Sequence, residues 1–201
     1  MQAAGEFVNL LQGAIHDQPM SSHTRGRAAG ACLAVAQDHH HAIVLLIDHQ
    51  LFASAFALMR IAFEAYIRGE WLAQCASDEQ VSNIVGGMEP PKIDDLLAAL
   101  EKIPTFSEGR LSEIKKHNWR SMCAYTHTGS LQIQRWQTPD TLESNYSDEE
   151  VLEVLSFAEI IGAVSIVGLA ALAEKEQIAV DVGAALNAHV AKWNAKTPKA
   201  V

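Results

Sequence analysis

Arg120 and His127 stand seven residues apart, two turns of a helix, so a helical backbone sets a permanent cation and a titratable imidazole on one face. Such a pair can cradle a phosphate and move a proton. It lies in KKHNWRSMCAYTHTG, the one locally basic stretch of an otherwise acidic chain. Between Phe106 and Trp136 the cations Arg110, Lys115, Lys116, Arg120 and Arg135 face only Glu108 and Glu113. Phosphate chemistry is the sharpest reading of that segment.

A second polar pair sits in a stretch that should be apolar. Between Leu51 and Ile67 the only charges are Arg60 and Glu64, four residues apart and embedded in Phe56, Leu58, Met59, Ile61 and Phe63. That spacing predicts a buried, mutually neutralising pair. Buried ion pairs seldom add net stability over apolar substitutes, yet losing one partner costs about 3–5 kcal/mol. Two readings remain open: a polar floor that orients the Arg120 and His127 face, or a structural clamp between helices. Arg68, one turn further along, and Tyr125, between the members of the first pair, complete the candidate binding set of Arg60, Glu64, Arg68 and Tyr125.

His39, His40 and His41, with Asp38, Asp48 and His49 nearby, raise a metal reading. Consecutive helical residues point about 100° apart, so three adjacent histidines do not converge on one ion, although His41 and Asp48 share a face. No E-x-x-H occurs, which removes the di-iron carboxylate pattern. No metal ligand set and no cofactor is assigned; a metal-dependent hydrolase using bundle histidines stays as an alternative. Neither a G-x-S-x-G elbow, a G-x-x-x-x-G-K-S/T loop nor a G-x-G-x-x-G fingerprint is present, which disfavours nucleotide hydrolysis and serine catalysis by those routes.

The elements that must position these residues are helices. Of the 201 residues 49% are apolar, with much alanine and few β-branched or aromatic runs. The expectation is an all-α fold: one domain over 1–201, an antiparallel bundle of about five to seven helices. Helical periodicity marks segments at about 3–16, 21 or 22 to 47, 51–76, 92–103, 107–128, 148–175 and 177–195, followed by a basic tail. Ser21 or Ser22 is expected to cap the second. A break or kink separates the second from the third, which should pair as a hairpin. Gly86, Gly87, Pro90 and Pro91 mark a loop, as does 138–146. Gly129 is the expected stop of the helix that carries Arg120, with His127 in its last turn. Ser147 and Glu150 form a capping box. Ala158, Gly162 and Ser165 make a small-residue groove, either a core seam or a homodimer interface.

The net charge of −9 disfavours a broad basic surface for non-specific nucleic-acid binding. Cys32, Cys75 and Cys123 are odd in number and lack C-x-x-C spacing, as expected of buried thiols in a reducing compartment. The first residues carry Glu6 and no positive n-region, unlike a secretory signal. The most membrane-like run, the uncharged stretch from Ile160 to Ala173, is of a length that suits a buried core helix, so no membrane association and a cytoplasmic location are expected.

Arg120-x6-His127 resembles the R-x4-6-H signature of the HEPN superfamily. The combination of SAFALMRIAFEAYIRGEWL with a downstream helix ending YTHTG is similar to uncharacterised bacterial helical proteins related to abortive-infection and HEPN-like domains, over roughly residues 25 to 175. That resemblance implies a HEPN-like bundle and a metal-independent endoribonuclease formed where two subunits juxtapose their motif helices. Arg120 would stabilise charge on the phosphate, and His127 would act as general base or acid on the ribose 2′-OH. Ser121 stands where the signature often has a polar Asn, Asp or His, and many members of such superfamilies are non-catalytic. The expected function is therefore a HEPN-like binding or interaction domain of a bacterial defence or toxin-antitoxin type system, homodimeric, with RNA or a protein as partner. The endoribonuclease using Arg120 and His127 is its alternative.

Overall fold

The computed structural model describes residues 1–20 and 22–196, and side chains as far as residue 191. The described residues form nine α-helices and one 3-10 turn, with no strand. They are α1 (Gln2–Ile15), α2 (Thr24–Asp48), α3 (Phe52–Gln74), α4 (Asp78–Val85), α5 (Ile93–Leu100), α6 (Arg110–Thr126), α7 (Ser130–Gln134), α8 (Asp148–Leu172) and α9 (Glu176–Lys196), with the 3-10 turn at Pro104–Phe106. The fold is all-α as expected, with more helices than the five to seven that periodicity marked. The two extra α-helices are short. α4 opens on a capping box in which Ser77 and Gln80 satisfy each other's backbone N–H groups, and α7 spans five residues.

α2 and α3 are joined by His49, Gln50 and Leu51, with Gln50 at φ 59°, so the chain breaks there rather than kinks. They pack as an antiparallel hairpin: the end of α3 at Gly69 meets Leu33 and Ala29 in the first half of α2. α2 begins after His23, whose side chain makes no capping bond, instead of after a serine. Ser21 lies outside the described residues, as does the tail at 197–201.

α8 packs against both members of the hairpin, and α1 and α9 cover its remaining sides. Its burial on several faces explains why it reads as almost continuously apolar. By length and composition α8 could cross a membrane, but 61% of its most apolar 18-residue window is buried inside the fold. α5 and α6 pack on α3. The core runs along this seam in two lobes, one around Leu33, Phe63, Ile67 and Ile166, the other around Ile43, Phe56, Met122 and Leu155. Each such side chain, fully buried, contributes roughly 1.5–3 kcal/mol.

The small-residue groove is a seam within the chain. Ala158, Gly162 and Ser165 are buried, and a Cβ at Gly162 would strike the His40 ring of α2. The Gly162 carbonyl also accepts from Gln37 Nε2. A histidine therefore fills a close contact between α2 and α8. His40 has no exposed surface, and its two ring nitrogens have no hydrogen-bond partner among the described residues. Nearby, His189 of α9 stacks on Phe7 of α1 at 4.4 Å and meets Glu159 Oε1 at 3.0 Å.

His40 makes stability pH-dependent. Burial, reinforced by the positive charges that His41 and His189 can carry, lowers its pKa from 6.5 to about 4. Between those values the unfolded chain binds a proton that the folded chain refuses, so the His40 contribution is intact above about 6.5 and is lost as the pH falls toward 4. The buried carboxyls act in the opposite sense. Burial raises Glu70 and Glu159, partly offset by hydrogen bonds from Gln74 and His189, so acid relieves their cost. A His40→Leu variant isolates the histidine. Measured by urea unfolding, its stability relative to wild type should rise by about 2–3 kcal/mol between pH 7 and pH 4.5. Gly162→Ala should cost about 1–3 kcal/mol through overpacking, and His40→Ala should recover part of that in the double mutant.

Candidate functional site

α6 and α3 bring together most of the residues with chemical potential. Seen down its axis, α6 turns Leu111, Met122 and Tyr125 into the bundle. Lys116, Arg120 and His127, at intervals of four and seven residues, fall on its exposed side. The helix ends at Thr126, so His127 is its cap residue and not part of its last turn.

The stop itself is unusual. Gly129 is the stop that the sequence marks, and glycine is the usual left-handed residue at a helix end, but here Thr128 takes that conformation, at φ 52°. The Gly129 N–H then reaches back to the Ala124 carbonyl at 2.6 Å, closing a Schellman-type end. Glycine is required at 129 for space: a Cβ there would lie 3.0 Å from Ala124 Cα. A β-branched residue at positive φ is costly, and here it directly follows the site histidine. The Thr126 hydroxyl donates to its own helix at Met122 and to the Ala57 carbonyl of α3, at 2.8 and 3.1 Å, which fastens this end of α6 to α3.

Arg60 of α3 is the hub. Its Nη1 lies 2.7 Å from His127 Nε2. A guanidinium only donates, so Nε2 accepts and the ring proton of a neutral imidazole sits on Nδ1. Arg60 Nε donates to Glu64 Oε1 at 2.7 Å, and Arg68 Nη2 donates to Glu64 Oε2 at 2.6 Å. Glu64 is buried between two arginines on consecutive turns of one helix. The row Arg68, Glu64, Arg60, His127 is continuous and carries one net positive charge when the imidazole is neutral. The Arg60 guanidinium also lies over the Trp119 ring, 4.6 Å from its centroid, and Lys115 Nζ lies 4.8 Å from the same ring.

Four of the six candidate residues, Arg60, Glu64, Arg68 and His127, are therefore joined. Arg120 is exposed on the outer side of α6, and among the described residues it makes no ion pair. Its neighbours differ in this: Lys115 is tied to Asp94 at 2.7 Å, and Arg110 to Glu108 at 2.6 Å. Tyr125 is on another flank, edge-on to Phe56 at 5.0 Å, and lines a cleft between α3, α6 and α8. Burial, with Glu150 nearby, raises the Tyr125 pKa. The same cleft holds the Arg135 and Glu150 pair. Burial alone would raise the Glu150 carboxyl, but the hydrogen bonds from Arg135 and Ser147 outweigh it and lower the pKa.

Trp119 and Lys115 are neighbours of the Arg60 row that the sequence did not single out. Trp119 reads as a core residue of α6, and only its position one residue before Arg120 could have drawn notice. The histidine run diverges as its spacing predicts. His40 is buried against α8, whereas His41 Nδ1 meets Gln12 Nε2 of α1 at 3.0 Å. Among the described residues no group of three His, Cys, Asp or Glu side chains is placed to hold an ion. The three cysteines are free and half-buried.

The chain belongs to the family of unknown function DUF6988, whose sequence profile matches residues 33–193. That span begins at Leu33 in α2 and ends within α9, so it includes the whole Arg60 to His127 row. No curated protein and no solved structure matches the chain.

The strain at Thr128 can be measured. Left-handed backbone costs an L-residue roughly 1–2 kcal/mol, whereas glycine pays a smaller entropic penalty. Thr128→Gly should raise the urea midpoint, with a gain of about 0.5–1 kcal/mol, and an unchanged or lowered midpoint would argue against strain at this position.

Proposed function

We propose that the chain is a HEPN-like helical binding domain of a bacterial defence or toxin-antitoxin type system, acting as a homodimer. Its anion-binding face, formed by Lys116, Arg120, Arg60 and His127, receives the phosphates of an RNA partner. The observation that carries this reading is the 2.7 Å contact of Arg60 Nη1 with His127 Nε2. A general base needs its lone pair free, and here that lone pair is taken by a guanidinium. A cationic face needs no such freedom. Arg120 stands exposed, and Arg60 keeps its planar fork oriented by Glu64 and Trp119.

The metal-independent endoribonuclease is the second reading, favoured by the exposure of both His127 and Arg120. For catalysis Arg60 must release Nε2 to the ribose 2′-OH and turn to the phosphate, where Arg120 joins it. Arg120 then stabilises charge that His127 helps to create.

Binding of a labelled 12-nucleotide single-stranded RNA in the presence of EDTA separates these readings. The binding domain should hold the RNA with an affinity that falls with salt, leave it intact, and lose about fivefold or more in affinity on Arg120→Ala. Cleavage to 2′,3′-cyclic phosphate ends, abolished by His127→Ala, would replace it with the endoribonuclease. Absence of binding at low salt would refute both.

A further inference from the structure

The cleft on the inner flank of α6 is separate from the Arg60 and His127 row and has its own chemistry. It encloses about 290 Å³, and Phe56, Met59, Met122 and Phe157 form its apolar wall. That volume is at the bottom of the range for small-molecule sites, enough for a single ring system and a short substituent. Aromatic faces and thioethers are suited to a flat, polarisable body. Tyr125 supplies a further ring, held edge-on to Phe56.

Charge selects the rest of the ligand. Three charged residues line the cleft: Arg135, Glu150 and Glu153. The Arg135 Nε donates to both Glu150 oxygens at 2.8 Å, so the charges of these two neutralise each other. Glu153, one turn further along α8, has no ion-pair partner among the described residues. The cleft therefore keeps one uncompensated carboxylate beside an apolar wall. An anionic ligand would be repelled, and a neutral one would leave the carboxylate partly stripped of water without a partner. A cation satisfies Glu153 and gains from the Tyr125 face as well. Asn118 and Ser121, also on the lining, offer hydrogen bonds to an ammonium or to a ring substituent.

We propose that this cleft is a binding site for a small aromatic amine, its ring against Phe56, Met122 and Tyr125 and its ammonium at Glu153. The site goes beyond the anion-binding face, and the two do not share a residue.

Isothermal titration at pH 7 and low salt tests the assignment with three indoles of similar shape: tryptamine, tryptophol and indole-3-propionate. Tryptamine should bind about tenfold or more tightly than tryptophol, the value of one charge pair near a protein surface, and indole-3-propionate should bind least. Glu153→Gln, a change at an exposed position, should erase the preference for tryptamine while leaving tryptophol unaffected. Ser121→Phe, which fills the cleft, should abolish binding of both. No binding of any of the three at millimolar concentration, equal binding of all three, or a preference that survives Glu153→Gln would each overturn the proposal.

Discussion

Leu33 holds three helices at a separation that a side chain would not permit. On one side lies Gly69 of α3, where a Cβ would be 2.7 Å from Leu33 Cγ. On the other lies Gly168 of α8, where it would be 2.9 Å from Leu33 Cδ1. Close packing of this kind transmits position, because interiors are dense and do not deform continuously. With α2 and α8 fixed against it, α3 has its remaining surface directed at α5 and α6. The polar row of Arg60, Glu64 and Arg68, at four-residue steps, runs along one side of α3, and the geometry of the candidate site follows from that crossing.

The buried polar groups divide by what they face. Glu64 sits between two arginines at the edge of the bundle, and Arg60 and Arg68 keep part of their surface in water. Breaking that arrangement would strand a buried carboxylate, whereas keeping it adds little over an apolar substitute. Glu159 and His189 pair deeper, between α8 and α9, and His40 sits at the α2 and α8 crossing without a hydrogen-bond partner among the described residues. The first group points toward a surface where it can meet a ligand. The second lies where a hydrocarbon side chain would serve packing at least as well, which is why His40→Leu is informative about the fold and Arg60 about the site.

The sequence discloses these layers unevenly. Long helices announce themselves by period, and α8 also by the Ser147 and Glu150 box, which the structure forms in full. The same kind of box at Ser77 and Gln80 opens α4, but two glycines and two prolines just beyond it drew that segment into a loop reading. Five residues are too few for a period, so α7 was invisible. The end of α6 at Thr126 falls two residues before the position that periodicity marks, because glycine is the usual left-handed cap, whereas here close contact with Ala124 claims the glycine and leaves the left-handed turn to threonine. In the site, the Arg60 and Glu64 pair was legible from four-residue spacing within an apolar run. The Arg60 contact with His127 spans 67 residues and depends on how two helices cross, for which the chain carries no local signal.

That contact also sets the order in which the proposed site would work. Arg60 spends Nε on Glu64 and Nη1 on His127, and its face rests on Trp119. An arriving phosphate competes for the same donors. Glu64 is buried and cannot leave without a large desolvation cost, whereas His127 is exposed and can swing into water. At the proposed site an anion would therefore displace the imidazole, not the carboxylate, and in doing so would free Nε2 at the edge of the bound phosphate. In the endoribonuclease reading, that release would be the step that turns a bound phosphate into a substrate; in the binding reading it would end there. What separates them is whether the strained turn at Thr128 keeps the released imidazole within hydrogen-bond reach of the ribose hydroxyl, a constraint of backbone geometry and not of residue type.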